Sequence, residues 1–233
     1  MNPVPGEIVL DAVEARVVGA LVEKAVTTPD YYPLTLNALV NACNQTSNRD
    51  PVMAVDAAAV TRALESLRDK RLAFVFEGAA SRVTKYGHKF AETLGLSGPE
   101  VAVLCVLLLR GPQTVGEIRG RTGRLHEFAA LAEVESTLQA LAARAPQPLA
   151  VRLPRQSGFK ESRYAHLLSG PPEVVPAEPP AAAATGAAAA GAAEGDRLAR
   201  LEQEVADLRR ELAELKAQFG GDRQPPAQES PML

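Results

Sequence analysis

Residues 56–89 read DAAAVTRALESLRDKRLAFVFEGAASRVTKYGHK, and this stretch decides the fold class. Apolar residues recur at helical spacing after Asp56, a residue suited to cap a helix, so a helix is predicted over about 56–70. Residues 72–77 and 82–86 are rich in aromatic and β-branched side chains around a Gly-containing gap, which predicts a β-hairpin. The stripe that faces the core consists of Val60, Leu64 and Leu67.

Two further helices are predicted upstream, over residues 11–25 and 35–43. Asp11 and Glu14 have the spacing of a capping box at the start of the first helix. The stripe predicted to be buried in this helix runs from Val13 to Lys24. The unit is therefore three helices followed by a two-stranded ribbon, and a short helical connector over 88–95 completes it.

The same order of elements recurs downstream. Ser97 with Glu100, and Thr114 with Glu117, are two further capping-box pairs. The first helix of this second copy is almost entirely apolar, so it is expected to be the most buried element. The second copy is predicted to consist of helices over 99–110, 115–122 and 131–144 and of strands over 149–153 and 162–168.

This repeated order predicts a mainly α fold with small β ribbons (α+β), built from tandem winged-helix domains over residues 8–95 and 96–169. Winged helices are relatives of the helix-turn-helix modules that place a helix in the major groove of DNA. Pro- and Ala-rich residues 170–195 are predicted to form a disordered linker, and residues 221–233 a disordered tail.

Residues 196–220 carry the most regular periodicity of the chain and are predicted to form a coiled-coil helix. The apolar residues are spaced 3 and 4 apart, as in an a/d heptad seam, and the flanking charges are opposite in sign. This pattern favours a homodimer, and the alternative is a single amphipathic helix packed on the body. The seam consists of Leu198, Leu201, Val205, Leu208, Leu212 and Leu215, with Phe219 as its next member.

The charge of the chain is unevenly distributed. The net charge is −3; residues 171–233 hold 6 Lys and Arg against 11 Asp and Glu, so this tail carries −5 and the remaining residues carry +2. A body so close to neutral is only weak evidence for nucleic-acid binding, because strong non-specific binders are more basic.

Several classes of protein find no support in the sequence. The longest apolar run, Val101 to Leu109, is nine residues, too short to span a bilayer, and residues 1–7 lack a signal core. A soluble cytoplasmic protein is expected, with Cys43 and Cys105 as buried small hydrophobes in a reducing compartment. The three histidines lack zinc-site spacing, and no phosphate loop or nucleophile motif occurs, so neither an enzyme nor a metal or other cofactor is predicted.

The candidate DNA contacts fall in three segments of the first copy. The polar turn before the third helix offers amides, hydroxyls and a guanidinium, the third helix offers residues off its apolar stripe, and the hairpin offers a basic cluster with an aromatic. The alternatives are a turn braced by its own side chains and a solvated strand face. The candidates are Asn44, Gln45, Ser47, Arg49, Thr61, Arg62, Arg68, Arg82, Lys85, Tyr86, His88 and Lys89.

The second copy is less suited to reading DNA. Its third helix exposes Glu133 and Glu135, and carboxylates there repel phosphate. Its basic residues lie near its second helix, where Arg119, Arg121 and Arg124 occur, and on its ribbon. This copy is expected either to contact DNA through its ribbon or to serve as a packing or protein-contact module.

The run YYPLTLNALVNACNQTSNRDPVM over residues 31–53 resembles the bacterial YceH family. Residues 81–90 and 104–117 resemble the same family, and the similarity extends over about residues 7–168. The resemblance implies a tandem winged-helix fold and supplies no activity or catalytic residue.

Two functions follow as hypotheses. The first is a transcriptional regulator that binds double-stranded DNA through the third helix and hairpin of the first domain, and that recognises two half-sites as a dimer. The second is an adaptor that binds a protein partner through the same scaffold without reading DNA. One continuous positive face through Arg49, Arg62, Arg82 and Lys85 would favour the first, and scattered charge beside an apolar patch the second.

Overall fold

A computed structural model of the chain describes residues 8–76, 83–155 and 161–172. These residues form a mixed α and β structure with small antiparallel sheets, as predicted. In chain order its elements are α1 (Ala12–Thr27), a 3-10 turn (Pro29–Tyr31), β1 (Leu34–Thr35), α2 (Leu36–Cys43), α3 (Ala57–Asp69), β2 (Ala73–Phe76), β3 (Lys85–His88), α4 (Phe90–Leu94), α5 (Gly98–Arg110), α6 (Val115–Thr122), α7 (Leu131–Ala142), β4 (Ala150–Arg152) and β5 (Tyr164–His166).

The predicted helix starts are confirmed because the local capping chemistry is formed. The Asp11 carboxylate accepts the backbone N–H groups of Val13 and Glu14 at the start of α1, and Glu14 accepts the Asp11 N–H in return. Thr114 and Glu117 form the same reciprocal pair at α6. These side chains satisfy N–H groups that have no partner within their own helix, so each fixes where its helix begins.

Strand boundaries were predicted less well. The second strand of the hairpin lies at Lys85–His88 and not at 82–86, and it pairs on its other side with β1, which was not predicted. The sheet order is β1-β3-β2, so β3 is a central strand. A strand as short as β1 has no detectable periodicity of its own. It pairs with Lys85 and Tyr86 of β3, whereas the ladder reaches His88 through the pairing of β2 with β3.

Helix α1 is far more buried than its apolar stripe indicated. Nine consecutive residues, from Glu14 to Val22, are buried, including the charged Glu14 and Arg16. Lys70 satisfies the Glu14 carboxylate at 2.6 Å, and the Arg16 guanidinium donates to the carbonyls of Cys43 and Pro51. Helix α5 was expected to be the most buried element. It is deeply buried, but α1 has a buried run of similar length.

Helices α1 and α5 join the two repeats into a single core. The Cys105 thiol lies 3.5 Å from the Gly19 carbonyl, and both cysteines are free and buried, as predicted. The Asp50 N–H donates to the Leu109 carbonyl, and the Leu10 N–H donates to the Leu168 carbonyl. Residues of both repeats contribute to one apolar cluster. Within the described residues, no helix is long and apolar enough to cross a membrane.

Candidate nucleic-acid interface

Helix α3 and the β2–β3 sheet bring two of the predicted residues on α3 next to the hairpin. Thr61 and Arg68 line a groove of about 190 Å³ whose other wall includes Thr84 and Tyr86. Tyr86 packs against the core along one edge, so its ring is held beside the helix. Thr61 donates its hydroxyl to the Ala57 carbonyl at 2.8 Å, which occupies its only proton within the helix.

The exposed side of α3 is mixed in charge. Arg62 and Arg68 are exposed, and Glu65 and Asp69 are exposed on the same helix. A second groove begins at Arg68 and is lined also by Arg71 and Lys89. Arg68 is thus shared by both grooves, and Arg71 adds a cation that the sequence analysis did not single out. Its position directly after the predicted end of α3 was the available signal.

Lys85 lies on the opposite face of the sheet from that groove. Its strand partners are Thr35 and Phe76, whereas the neighbouring residue Tyr86 faces α3. Successive side chains of a strand point to opposite faces, so Lys85 and Tyr86 cannot line the same groove. A continuous positive face through Arg49, Arg62, Arg82 and Lys85, which would have favoured DNA binding, therefore does not pass through the groove between α3 and the hairpin.

His88 is poorly suited to hold a phosphate. Its ring stacks edge-on against Tyr32, and its backbone N–H donates to the Tyr32 hydroxyl at 2.7 Å. Burial lowers the pKa of His88, and the charge of Glu92 opposes this only in part, so the imidazole is neutral at pH 7.

Asn44 braces the polar turn and is not available to DNA. Its Nδ2 donates to the Val55 carbonyl at 2.8 Å, and its Oδ1 accepts the Val55 N–H at 2.8 Å. Both ends of the amide are thereby engaged with the segment that leads into α3. The alternative role, local bracing through backbone hydrogen bonds, describes this residue better.

Arg49 must be removed from the candidate interface. Its side chain is 0% exposed, and its guanidinium binds Glu23 through both carboxylate oxygens, at 3.1 and 2.7 Å. It also donates to the carbonyls of Ala42 and Asn48. Burial alone would raise the pKa of Glu23, but the hydrogen bonds and charge of Arg49 lower it below its usual value. Arg49 is a structural cation that ties the turn to α1.

Gln45 and Ser47 face a different part of the molecule from α3. Both line a cleft formed by α1, the polar turn, α5 and α6, and the Gln45 Oε1 accepts from Arg49 at 2.9 Å. The polar turn therefore points away from the groove beside α3. The sequence could not show this, because the direction of the turn depends on the buried contacts of Arg16, Asn44 and Arg49.

Two sets of predictions fall outside the described residues. One is Arg82, the candidate contact at the hairpin loop. The other is the dimer seam of Leu198, Leu201, Val205, Leu208, Leu212 and Leu215, together with residues 173–195 of the linker and the tail over 221–233. All of these stay predictions.

Comparison with known proteins places the chain in a bacterial group. Residues 10–159 match the family described as "Protein of unknown function, DUF480". The chain is 60% identical to a UPF0502 protein of Opitutus terrae over 89% of its own length and 85% of that protein. It is 55% identical to a UPF0502 protein of Geotalea uraniireducens, over 91% of this chain and 99% of the relative.

A third relative, a UPF0502 protein of Pelobacter propionicus, is 52% identical over 90% of this chain and 94% of its own. The YceH name suggested by residues 31–53 stays a resemblance, because these relatives carry another name. The family match spans nearly all of the first repeat and most of the second, and its relatives in these bacteria are UPF0502 proteins. The chain belongs to the DUF480 family.

Proposed function

We propose that the two repeats are winged-helix domains and that the first one binds double-stranded DNA, as a transcriptional regulator would. The single observation that carries the proposal is the exposed side of α3. Arg62 and Arg68 stand on a helix that follows two others and precedes an antiparallel hairpin, in the order of a helix-turn-helix relative. Arg71 and Lys89 extend this cationic region toward α4.

Phosphate contact is the main contribution expected from these residues. A guanidinium that neutralises a phosphate releases bound counterions, so affinity falls as salt rises. Glu65 lies three residues from both Arg62 and Arg68 and therefore stands between them on the helix surface, and Asp69 is exposed on the same helix. These carboxylates weaken the attraction of α3 for a phosphate backbone. A dimer formed through the heptad seam would present two copies of this surface to two half-sites.

The second domain is proposed to stabilise the first and not to read DNA. The exposed side of α7 carries Glu133 and Glu135, and Glu133 accepts the Ala129 N–H at 3.0 Å near the start of the helix. Carboxylates in this place repel a polyanion. The shared core through α1 and α5 gives the second domain a structural role in this proposal.

The test is fluorescence anisotropy of the full chain with short duplex DNA across a salt series. We expect Arg68→Ala to weaken binding to every sequence and to flatten the salt slope by about one unit. Arg152→Ala is the matched control, because Arg152 is an exposed arginine on β4, and it should change neither quantity. Equal effects of the two substitutions, or no binding at about 50 mM salt, would contradict the proposal.

The Lys85→Ala variant tests separately whether the hairpin contacts DNA. If the outer face of the sheet contacts phosphate, Lys85→Ala should lower the salt slope by about one unit as well. If affinity and slope are both unchanged while Arg68→Ala weakens binding, α3 contacts DNA without the outer sheet face.

An adaptor that binds a protein partner is the second candidate, because the outer face of the sheet exposes an aromatic side chain beside Lys85. Phe76 is 45% exposed on the strand that pairs with Lys85, and Phe74 occupies the same face two residues earlier. An exposed aromatic beside a cation is typical of protein contact surfaces. If this function is correct, Phe76→Ser should abolish capture of a stoichiometric partner and the wild-type chain should not bind duplex DNA. An unchanged partner profile would reject it.

A further inference from the structure

The cleft that Gln45 and Ser47 line is larger than either of the two grooves beside α3. Its volume is about 630 Å³, within the size range of small-molecule sites. Its apolar floor comes from α5 and includes Cys105, Val106 and Leu109. The charged residues in its lining are Glu23, Lys24, Arg110, Arg121 and Arg124.

The charge in this cleft is strongly positive. Four cations and one carboxylate line it, which gives +3 within a chain whose net charge is −3. The carboxylate, Glu23, is already bound by the buried Arg49 from behind. Lys24 shares that carboxylate at 3.3 Å, and Arg121 lies 3.5 Å from Glu117. In the described part of the chain, no carboxylate forms an ion pair with Arg110 or Arg124.

Helix ends explain part of this charge. Lys24, Arg110 and Arg121 stand in the last turns of α1, α5 and α6, where a cation interacts favourably with the helix dipole. The helix dipole favours a cation in the last turn of each helix, but it does not explain why three helix ends meet in one cleft. It does not apply to Arg124, which follows the end of α6.

The cations are close enough to repel one another. Burial lowers the pKa of Arg110, and the charges of Arg121 and then Arg49 lower it further. The Arg110 guanidinium donates to the Asn48 side-chain oxygen, a neutral partner, and the charges of Glu23 and Asp50 offset the lowering of the Arg110 pKa only in part. A group of like charges held together in a concave site is stabilised when an anion enters.

We infer that this cleft binds a small ligand that carries two or more phosphate charges, held by Arg110, Arg121 and Arg124. Guanidinium groups match the oxygens of phosphates and carboxylates in a two-point geometry, and the excess of cations in the lining favours a ligand with several negative charges over a single carboxylate. The apolar floor can hold a ring or chain attached to the phosphates. The inference is independent of DNA binding, because α3 and the β1–β3 sheet supply none of the lining residues.

The test uses the full chain in a phosphate-free buffer with pyrophosphate and ATP as probes, and adenosine as the uncharged comparison. Both anions should raise Tm and bind in a titration, and adenosine should not. Arg124→Gln and Arg121→Gln should weaken both anions about tenfold. Arg68→Gln removes the same charge outside the cleft and should leave the affinity unchanged. The Tm of each variant without a probe shows whether it is folded.

Three results would overturn the inference. The first is the absence of binding that depends on Arg124, whether neither anion binds at millimolar concentration or both bind wild type and Arg124→Gln equally. The second is protection by sulfate at the same concentrations as pyrophosphate, which would show general charge screening. The third is a loss of duplex DNA affinity in Arg124→Gln without any effect on ATP or pyrophosphate, which would assign these cations to DNA phosphates.

Discussion

Gly19 of α1 lies directly against Leu109 of α5. A Cβ atom built on Gly19 would be 2.9 Å from the Leu109 Cδ2 and 3.3 Å from the Cβ of Leu108. The second distance matters more, because the Cβ of Leu108 cannot move without its backbone. The absence of a side chain at residue 19 is thus what lets the central helices of the two repeats pack so closely.

Gly19→Ala is expected to destabilise the protein although alanine is the better helix former. The gain in helix propensity is about 1 kcal/mol, and overpacking of a filled core costs about 1–3 kcal/mol. We expect a net loss of about 1 kcal/mol in the free energy of unfolding, measured with urea. Gly116→Ala is the matched control, since nothing lies within 4 Å of its Cβ position, and it should be neutral or stabilising. A stabilised Gly19→Ala would show that α5 can shift freely.

The Glu23–Arg49 pair should be worth far more than an ordinary ion pair. Glu23→Gln leaves the Arg49 charge buried with no carboxylate, because the Arg49 side chain is 0% exposed, and this should cost about 3 kcal/mol. Glu117→Gln breaks the ion pair with Arg121, whose side chain is 31% exposed, and should cost less than about 0.5 kcal/mol. Similar losses of unfolding free energy in the two variants would contradict the structural role assigned to Arg49.

The Glu23–Arg49 pair should also make the free energy of unfolding depend on pH. Because Arg49 lowers the pKa of Glu23 below its ordinary value of 4.5, the stabilisation is complete above that pH and is lost as pH falls through the folded pKa. The difference in unfolding free energy between wild type and Glu23→Gln should therefore shrink below pH 4.5. A constant difference from pH 7 down to about pH 3 would mean that the Glu23 charge is not what stabilises the fold.

Local signals explain how much of this fold the sequence could predict. Capping residues such as Asp11 and Thr114 act within one turn of their own helix, so the helix starts followed from the sequence. The burial of Arg16 and Arg49 did not, because it depends on carbonyl groups that come from other segments. A short strand such as β1 exists only through its pairing with β3.

The residues predicted to contact DNA fall into two groups, because local periodicity orients some of them and tertiary contacts orient the others. Thr61, Arg68 and Tyr86 were predicted together and line one groove, since helix and strand periodicity decide which way they point. Gln45 and Ser47 lie in a turn without periodicity, and buried hydrogen bonds turn them toward the cleft beside Lys24. Tertiary contacts between the repeats, and not local sequence, decide which cations share a surface.

His166 should make the second repeat sensitive to mild acid. Burial lowers its pKa to about 4 from 6.5, so the unfolded chain takes up a proton that the folded chain excludes, and stability is lost as pH falls from 6.5 toward 4. By pH 5 the loss is about 2 kcal/mol. His166→Phe should remove this part of the pH dependence while His88 and the carboxylates keep theirs. Parallel stability curves for wild type and variant between pH 7.5 and 5 would contradict it.

The packing of Phe74 on Gly87 predicts that the two residues are energetically coupled. A Cβ atom on Gly87 would be 2.4 Å from the Phe74 Cζ, so Gly87→Ala must push the ring off the outer face of the sheet. Gly87→Ala alone should cost about 1–3 kcal/mol of unfolding free energy. Phe74→Leu shortens the side chain that clashes, so the double variant should recover at least about 1 kcal/mol relative to the sum of the single effects. Strictly additive losses would mean that the ring relaxes without cost, and that Gly87 is required for a reason other than Phe74.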